Sequence, residues 1–452
     1  MVKERARILV VGGGYVGMST ALRLQQRLKR EIRRGEAQVT VVAHDARMTY
    51  RPLLAEAAAG SVSPRHVVVP LRRVLDRCRV VIGEVTAVDH ARRTATLTTP
   101  ATGEKSTGAP ALAYDELVLA PDSGRRTPPV PGLAEHGIGL TTVEEAIGLR
   151  NHVIEQMDIA SSTRDPELRD AALTFVFVGG GRTGIEALAA LEDMARHAAR
   201  SYHNIRPQDM TWILVEASGR ALPEADADTS RRAVAELRGR NIQVVLDTRL
   251  ESCADRVAVL SDGRRVPART IVWTAGAGPH PLLAATGMPL DARGRLVCTS
   301  RLAVEGVDHV WAAGDAASVS GVTATGSGGE TARQARLLGD NIAHALRGEP
   351  LETYAHRPAD AVASLGLHKG VARLHGRGLT GYPAWFMHRV QHLSRVPTLH
   401  RKARVLAEWT LSGFFEREIV SLGSLEHPQP EFELAPGGKP PRGPSDNPKE
   451  SF

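Results

Sequence analysis

One unit is written twice in this chain. RILVVGGGYVGMSTALRL spans residues 7–24, and LTFVFVGGGRTGIEALAAL spans 173–191. Each copy is an apolar, β-branched run, a glycine-rich turn and a segment of helical pattern. In the first copy the spacing predicts a strand at Arg7–Val11, a turn at Gly12–Gly17, a helix at Met18–Leu28 and a second strand at Gln38–Val42. Uninterrupted apolar strands are the kind buried on both faces of a parallel sheet, so each copy reads as a βαβ unit. Two such units in 452 residues predict an α/β chain with two Rossmann-like dinucleotide-binding domains.

The runs between the copies fit this frame. RVVIGEVTAVD, TATLTT and YDELVLA read as strands, and TPPVPGL at 127–133 as a linker. The second copy continues to the strand TWILVEA and then to NIQVVLDTRL, RVAVLSDG and RTIVWTAGA. DHVWAAGDAASV at 308–319 predicts a return to the first domain. The boundaries expected are 1–130 and 291–355 for the two parts of the first domain, and 131–290 for the second. Residues 356–425 are expected to form a strand pair and helices, and 426–452, rich in Pro, Gly and charge, a disordered tail.

Composition removes several classes. Cys78, Cys253 and Cys298 contain no CxxC pair, which argues against a disulfide framework, a thiolate metal site or a dithiol redox centre, and for a reducing compartment. The start reads as a strand and not a signal peptide, and no apolar run approaches the length of a spanning helix. The net charge of +7 suits an anionic cofactor or membrane surface as well as a solvated basic face; nucleic-acid binding has nothing else behind it and is not expected.

The two turns carry the chemistry. Gly12, Gly14 and Gly17 in one, and Gly179, Gly181 and Gly184 in the other, satisfy GxGxxG. A pyrophosphate needs bare backbone and the free N–H groups of a helix start. A lone motif also serves plain packing, but two copies in the same strand–turn–helix setting point to two dinucleotides. An acid at the end of the following strand holds the adenosine ribose. Glu216 fits that role and repels a 2′-phosphate, favouring NADH over NADPH. In the first unit Ala43 stands where that acid belongs, and Asp45 reads either as a substitute or as a turn residue. Gly314 and Asp315, in AAGDAA, offer a further anchor for ribityl hydroxyls and phosphate.

With these pieces in order, the chain resembles the type II NADH dehydrogenases, peripheral membrane NADH:quinone oxidoreductases among the two-dinucleotide-binding-domain flavoproteins. The likeness runs over about residues 5–430. It rests on RILVVGGGYVG, MTYRPLLAEAAAG, VFVGGGRTGIEALA, ILVEASGRALPE, IVWTAG, VWAAGDAA and the block ASLGLHKGVARLHG…GYPAWFMHRV. The resemblance implies FAD on the first unit with Arg51, Gly314 and Asp315. It implies NADH on the second with Glu186, Glu216 and Gly276, and hydride transfer directly from nicotinamide to flavin. Glu186 would sit where the two rings meet, or else serve as a carboxylate stabilised by its helix dipole. Lys369 would place positive charge near reduced flavin, or else be a surface hairpin lysine. A quinone as acceptor, a respiratory role, a homodimer and the cytoplasmic face of the cell membrane belong to the same set of expectations.

Three departures mark the chain. They are Ala43, Asp122 in LAPDSG where the family's turn has glycine, and Gly328–Gly329 where relatives carry Ala-Gln beside flavin and quinone. They keep open an FAD/NADH oxidoreductase with oxygen or a biosynthetic partner as acceptor, and a diverged NADH-binding protein without flavin. Finally, 381–422 concentrates Trp385, Phe386, Trp409, Phe414 and Phe415 among many Arg, Lys and His residues. That composition suits helices lying on a membrane surface, or docking on another subunit.

Overall fold

The computed structural model describes residues 5–99, 111–125, 128–322, 328–356, 362–374, 377–396, 398–414 and 419. The expected tail and the side chains of Phe414 and Phe415 lie outside the described set. The first unit comprises β1 (Ala6–Val11), α1 (Tyr15–Arg27), β2 (Ala37–Ala43), β3 (Arg79–Ile82) and β4 (Glu116–Leu119). The second comprises β5 (Gly137–Gly139), α2 (Val143–Ser162), β6 (Thr174–Val178), α3 (Arg182–Ala198), β7 (Thr211–Val215), β8 (Ile242–Val245) and β9 (Thr270–Trp273). Then follow β10 (Val310–Ala312), α4 (Gly328–Arg347), α5 (Tyr382–Arg395) and α6 (Leu399–Phe414).

Two five-stranded parallel sheets result, in the orders β10-β4-β1-β2-β3 and β5-β9-β6-β7-β8. β10 pairs with β4, Val310 opposite Leu117, so the chain does come back to the first sheet after building the second. The central strands explain the apolar runs. Ile8 to Val11 and Phe175 to Val178 are buried, as expected of strands covered on both faces. Phe175 stacks on Trp212 of the neighbouring strand with ring centroids 4.2 Å apart. One face of the first sheet is closed by α1 against α4. There Thr20 donates to the Ala335 carbonyl at 3.2 Å, and Arg23 forks onto Asp340 at 2.9 and 3.0 Å.

α1 begins at Tyr15, three residues before the start expected from the pattern. The reason is steric. A Cβ on Gly17 would come within 2.0 Å of the Gly12 carbonyl oxygen, so the third glycine belongs to the helix and lets it close onto its own turn. Gly184 and Gly179 repeat this contact at 1.9 Å.

The C-terminal block has three antiparallel strands, Val362–Ser364, Gly370–Leu374 and Arg377–Thr380, where a pair was expected. The third, RGLT, lacks an alternating apolar pattern and forms by pairing with its neighbour. This block is fastened to α3 by Arg240, whose side chain is 6% exposed. The guanidinium donates to the carbonyls of Leu365 and Ala189, to Glu192, and to Asp193 at 2.9 Å. Trp385 and Trp409, expected on a membrane-facing surface, are instead buried. They clamp the Arg389 guanidinium from two sides, 4.0 and 4.7 Å from the ring centroids, and Trp409 donates to Glu56 at 2.9 Å. Indole rings gain more by enclosing a cation between two helices than by lying on either helix's outside.

Removing one partner of a buried ion cluster strands the others, at a cost of about 3–5 kcal/mol. Arg240→Met leaves Glu192, which is 2% exposed, with Arg196 as its one cationic partner among the described residues. Chemical denaturation of Arg240→Met should show a loss of this size. A loss under about 1 kcal/mol, on the scale of a surface ion pair, would remove Arg240 from its place as the fastener.

Candidate functional site

The carboxyl ends of β1, β4 and β10 and the start of α3 open into one cleft of about 470 Å³. Tyr15 and Val16 line it from the first turn, Ala313 and Asp315 from the end of β10, and Gly181 to Gly184 with Glu186 from the second turn. The N-cap residues Gly14 and Gly181 supply no side-chain cap, and at the α3 start the Arg182 N–H donates to Glu224 at 3.0 Å. Both helix starts thus present positive dipole ends to the same space.

The turns are built alike and differ in one residue. A Cβ on Gly180 would lie 2.9 Å from the Glu216 Cβ, and a Cβ on Gly13 would lie 2.4 Å from the Ala43 Cβ, so Ala43 and Glu216 hold equivalent places. Glu216 accepts from the Gly180 N–H, and from the Ser218 amide and hydroxyl at 2.8 and 2.7 Å. Ala43 has nothing to offer in return, and Asp45 is exposed. Over the first turn stands another carboxylate, because a Cβ on Gly14 would meet Asp122 Oδ1 at 1.9 Å. Asp122 lies 3.9 Å from Arg51, and Ser123 donates to Asp315. The bare backbone at Gly12 and Gly14 and the helix start fit a dinucleotide pyrophosphate; Asp122, set over the face of the turn, is of the wrong sign.

Glu186 is buried at the site, at 5% exposure, beneath the still more enclosed His388 and His392. Its Oε1 accepts from the Ser364 amide at 3.1 Å and lies 3.0 Å from His388 Nε2. His388 meets His392 edge-on, with centroids 4.2 Å apart, and His392 Nδ1 lies 3.3 Å from the Tyr50 hydroxyl. Burial raises the Glu186 carboxyl above its ordinary range, with His392 opposing. Burial also pushes His388 down to about 4, and His392 well below its ordinary value. The Glu186–His388 contact is therefore a hydrogen bond drawn toward uncharged partners, not an ion pair. Burial likewise raises the phenols of Tyr15 and Tyr50, which stay protonated donors.

Of the residues expected at the site, the structure brings together the two glycine turns, Arg51, Asp315, Glu186 and, against the second turn, Glu216. Gly314 adjoins Asp315, with a left-handed φ of +69°. Gly276 is exposed just beyond β9, whose neighbour Thr274 lines the cleft. Lys369 is elsewhere. It pairs with Glu236 at 2.7 Å on the outside of the C-terminal block, because the Gly366–Gly370 turn projects that side chain away from the cleft. Sequence reading passed over Tyr15, Tyr50, His388, His392 and Arg395. The only available signal was the i, i+4 spacing of His388 and His392 in MHRVQH, which places both on one helix face.

A buried imidazole held neutral makes stability depend on pH with a definite sign. His388 contributes stability above the ordinary histidine value of 6.5, and that contribution is lost as pH falls toward its folded value of about 4. Glu186, shifted upward, works in the opposite sense. Its contribution is present below 4.5 and is lost as pH rises through its folded value. Compared with His388→Gln, the native chain should therefore lose about 3 kcal/mol of stability between pH 7 and pH 4, at 1.36 kcal/mol per pKa unit. Urea titrations of the two chains that run parallel across that range would contradict the assignment.

Comparison with known proteins agrees with this geometry. The type II NADH:quinone oxidoreductase Ndh of Mycobacterium tuberculosis is 26% identical over 432 residues, covering 90% of this chain and 88% of that one. The type II NADH:quinone oxidoreductase of Staphylococcus aureus is 27% identical over 399 residues, 86% of this chain and 95% of its own. Among solved structures, NDH2 from Plasmodium falciparum in complex with NADH superposes with a TM-score of 0.81 at 14% identity, covering 92% of this chain and all of that one. The sulfide:quinone oxidoreductase of Aquifex aeolicus reaches 0.69 at 15% identity, with 91% and 96% covered. These two show a shared fold. The model of the pyridine nucleotide-disulphide oxidoreductases matches residues 6–339, and the chain belongs to that family.

Proposed function

We propose that the chain is a type II NADH dehydrogenase: it binds FAD at the first glycine turn and NADH at the second, and passes electrons from NADH to a quinone at a membrane surface. The observation that carries this reading is that both turns open on one cleft, so that two dinucleotides would meet end to end. Relatives named type II NADH:quinone oxidoreductase, similar over nearly their whole length, support it.

In this reading Gly12, Gly14 and Gly17, the α1 start, Arg51, Gly314 and Asp315 hold FAD. When bound, FAD supplies the hydride acceptor that no side chain of the cleft can be. Gly179, Gly181, Gly184, Glu216 and Gly276 hold NADH, and the Glu216 carboxylate disfavours a 2′-phosphate. Glu186, kept from solvent by α5, keeps water from the junction of the two rings and holds a proton there. Purified protein should be yellow. Anaerobic NADH should bleach the flavin bands, and a water-soluble quinone should restore them. Protein that stays colourless after incubation with FAD would refute the reading. Asp122→Gly should retain FAD roughly fivefold more tightly, matching the ~1 kcal/mol of one charge at 4 Å in water.

The membrane part of the reading rests on the outer faces of α5 and α6. Tyr382, Phe386 and Val390 follow one another at i, i+4 and i+8 and are exposed, as are Leu399, Leu406 and Leu411 of α6. His400, Arg401, Lys402 and Arg404 accompany them, the pairing of apolar face and cations that an anionic lipid surface takes. No described helix is long and apolar enough to cross a membrane. The proposed location is the cytoplasmic face of the cell membrane. Wild-type protein should float with anionic vesicles, and Phe386→Glu with Leu406→Glu should stay at the bottom of the gradient with NADH-dependent flavin bleaching intact. Equal flotation of both would exclude this surface.

A further inference from the structure

The start of α3 already carries an anion, and the chain itself supplies it. Glu224 lies in the loop between β7 and the helix Ala227–Gly239. Its Oε1 accepts from the Arg182 N–H at 3.0 Å and stands 3.9 Å from Arg182 Nε, so the amide and guanidinium of one residue converge on one carboxylate oxygen. Both side chains line the cleft, and both are part-exposed to it. Nothing lies within 4 Å of the place a Cβ on Gly181 would take, so the approach to this helix start is otherwise open.

The loop is built to aim Glu224 there. On one side of it the Leu222 N–H donates to the Gly180 carbonyl at 2.7 Å, with Leu222 held in the left-handed region at a φ of +50°. That conformation is uncommon for a residue with a side chain and persists because the surroundings impose it. On the other side Asp226 caps the following helix through the Asp228 and Thr229 amides, each at 3.1 Å. Two ties thus fix the backbone on either side of Glu224. Its part-exposed side chain can leave the Arg182 donors by rotation alone.

An N–H in the first turn of the helix is the donor that a pyrophosphate oxygen takes at a glycine turn. A carboxylate offers such a donor the same sign of charge and the same acceptor lone pairs. The two anions cannot share the Arg182 N–H, because like charges brought to one donor repel.

We propose that Glu224 competes with the pyrophosphate of NADH for the start of α3: it holds the Arg182 donors in the empty cleft and is displaced when the dinucleotide binds. The proposal rests on the NADH reading of the preceding subsection. No bond is made or broken in the exchange; one anion replaces another at the same donors. NADH and NAD⁺ carry the same pyrophosphate, so Glu224 weakens the binding of both and eases the departure of the oxidised product.

The test titrates the FAD-loaded full chain calorimetrically with ADP-ribose, which has the pyrophosphate and no hydride to give, and with adenosine, which has no phosphate. Wild type is compared with Glu224→Ala and Glu224→Gln. Glu224→Ala should bind ADP-ribose roughly fivefold more tightly, the worth of one helix cap that no longer has to be given up. Glu224→Gln, which keeps an acceptor and loses the charge, should fall between the two, and it decides the question by itself if Glu224→Ala does not fold. Adenosine should bind all three chains within about twofold. Weaker binding of ADP-ribose by the variants would overturn the proposal, since the carboxylate would then be a contact of the ligand. Unchanged affinity for ADP-ribose, or an equal gain for adenosine, would overturn it as well. Each of these leaves the NADH reading standing as long as NADH bleaches the flavin. A wild type that neither binds ADP-ribose nor is bleached by NADH would overturn both.

Discussion

Both dinucleotide turns depend on a single contact, the α-carbon of the third glycine resting on the carbonyl oxygen of the first. That approach, too close for any Cβ at Gly17 or Gly184, lets α1 and α3 begin within a few residues of their strands, with the α3 start facing Glu224 through the Arg182 N–H. Everything charged nearby is arranged around those two dipole ends. Glu216 ties down the second turn through the Gly180 amide. The first turn lacks such a tie and carries Asp122 over its face instead, with Arg51 beside that carboxylate and Asp315 held by Ser123.

A second constraint comes from the C-terminal block, which a two-sheet flavoprotein core does not itself require. Arg240 fixes the Leu365 turn to α3, and the Trp385–Arg389–Trp409 clamp fixes α5 to α6 and to Glu56. With α5 held there, His388 and His392 cover Glu186, and the water that would ionise all three is excluded. The same helix therefore does two things. Its inner face sets the protonation of the cleft and supplies Arg395, while its outer face leaves Tyr382, Phe386 and Val390 in solvent.

The two turns, the strands flanking them and the return to the first sheet were legible because each is a local pattern: an apolar run, a glycine spacing, a helix start. Glu186 was legible for the same reason, two residues beyond the last glycine. Of the two readings of Lys369 the surface one fits its pairing with Glu236; the likeness to relatives located the hairpin but not the direction of one side chain. Trp385 and Trp409 were misassigned because composition counts aromatic residues without saying which side of a helix faces Arg389.

By itself the amino-acid order determined two βαβ units, their bare phosphate-facing backbone, the acid at Glu216 and its absence at Ala43, since each depends on residues a few places apart. Only the tertiary structure decided that the two turns share one cleft, that His388 and His392 come more than 200 positions along the chain to cover Glu186, and that Arg395 fills the space left by Gly329. Such long-range encounters follow from packing and exclusion of water, which act between surfaces and leave no spacing in the chain to read.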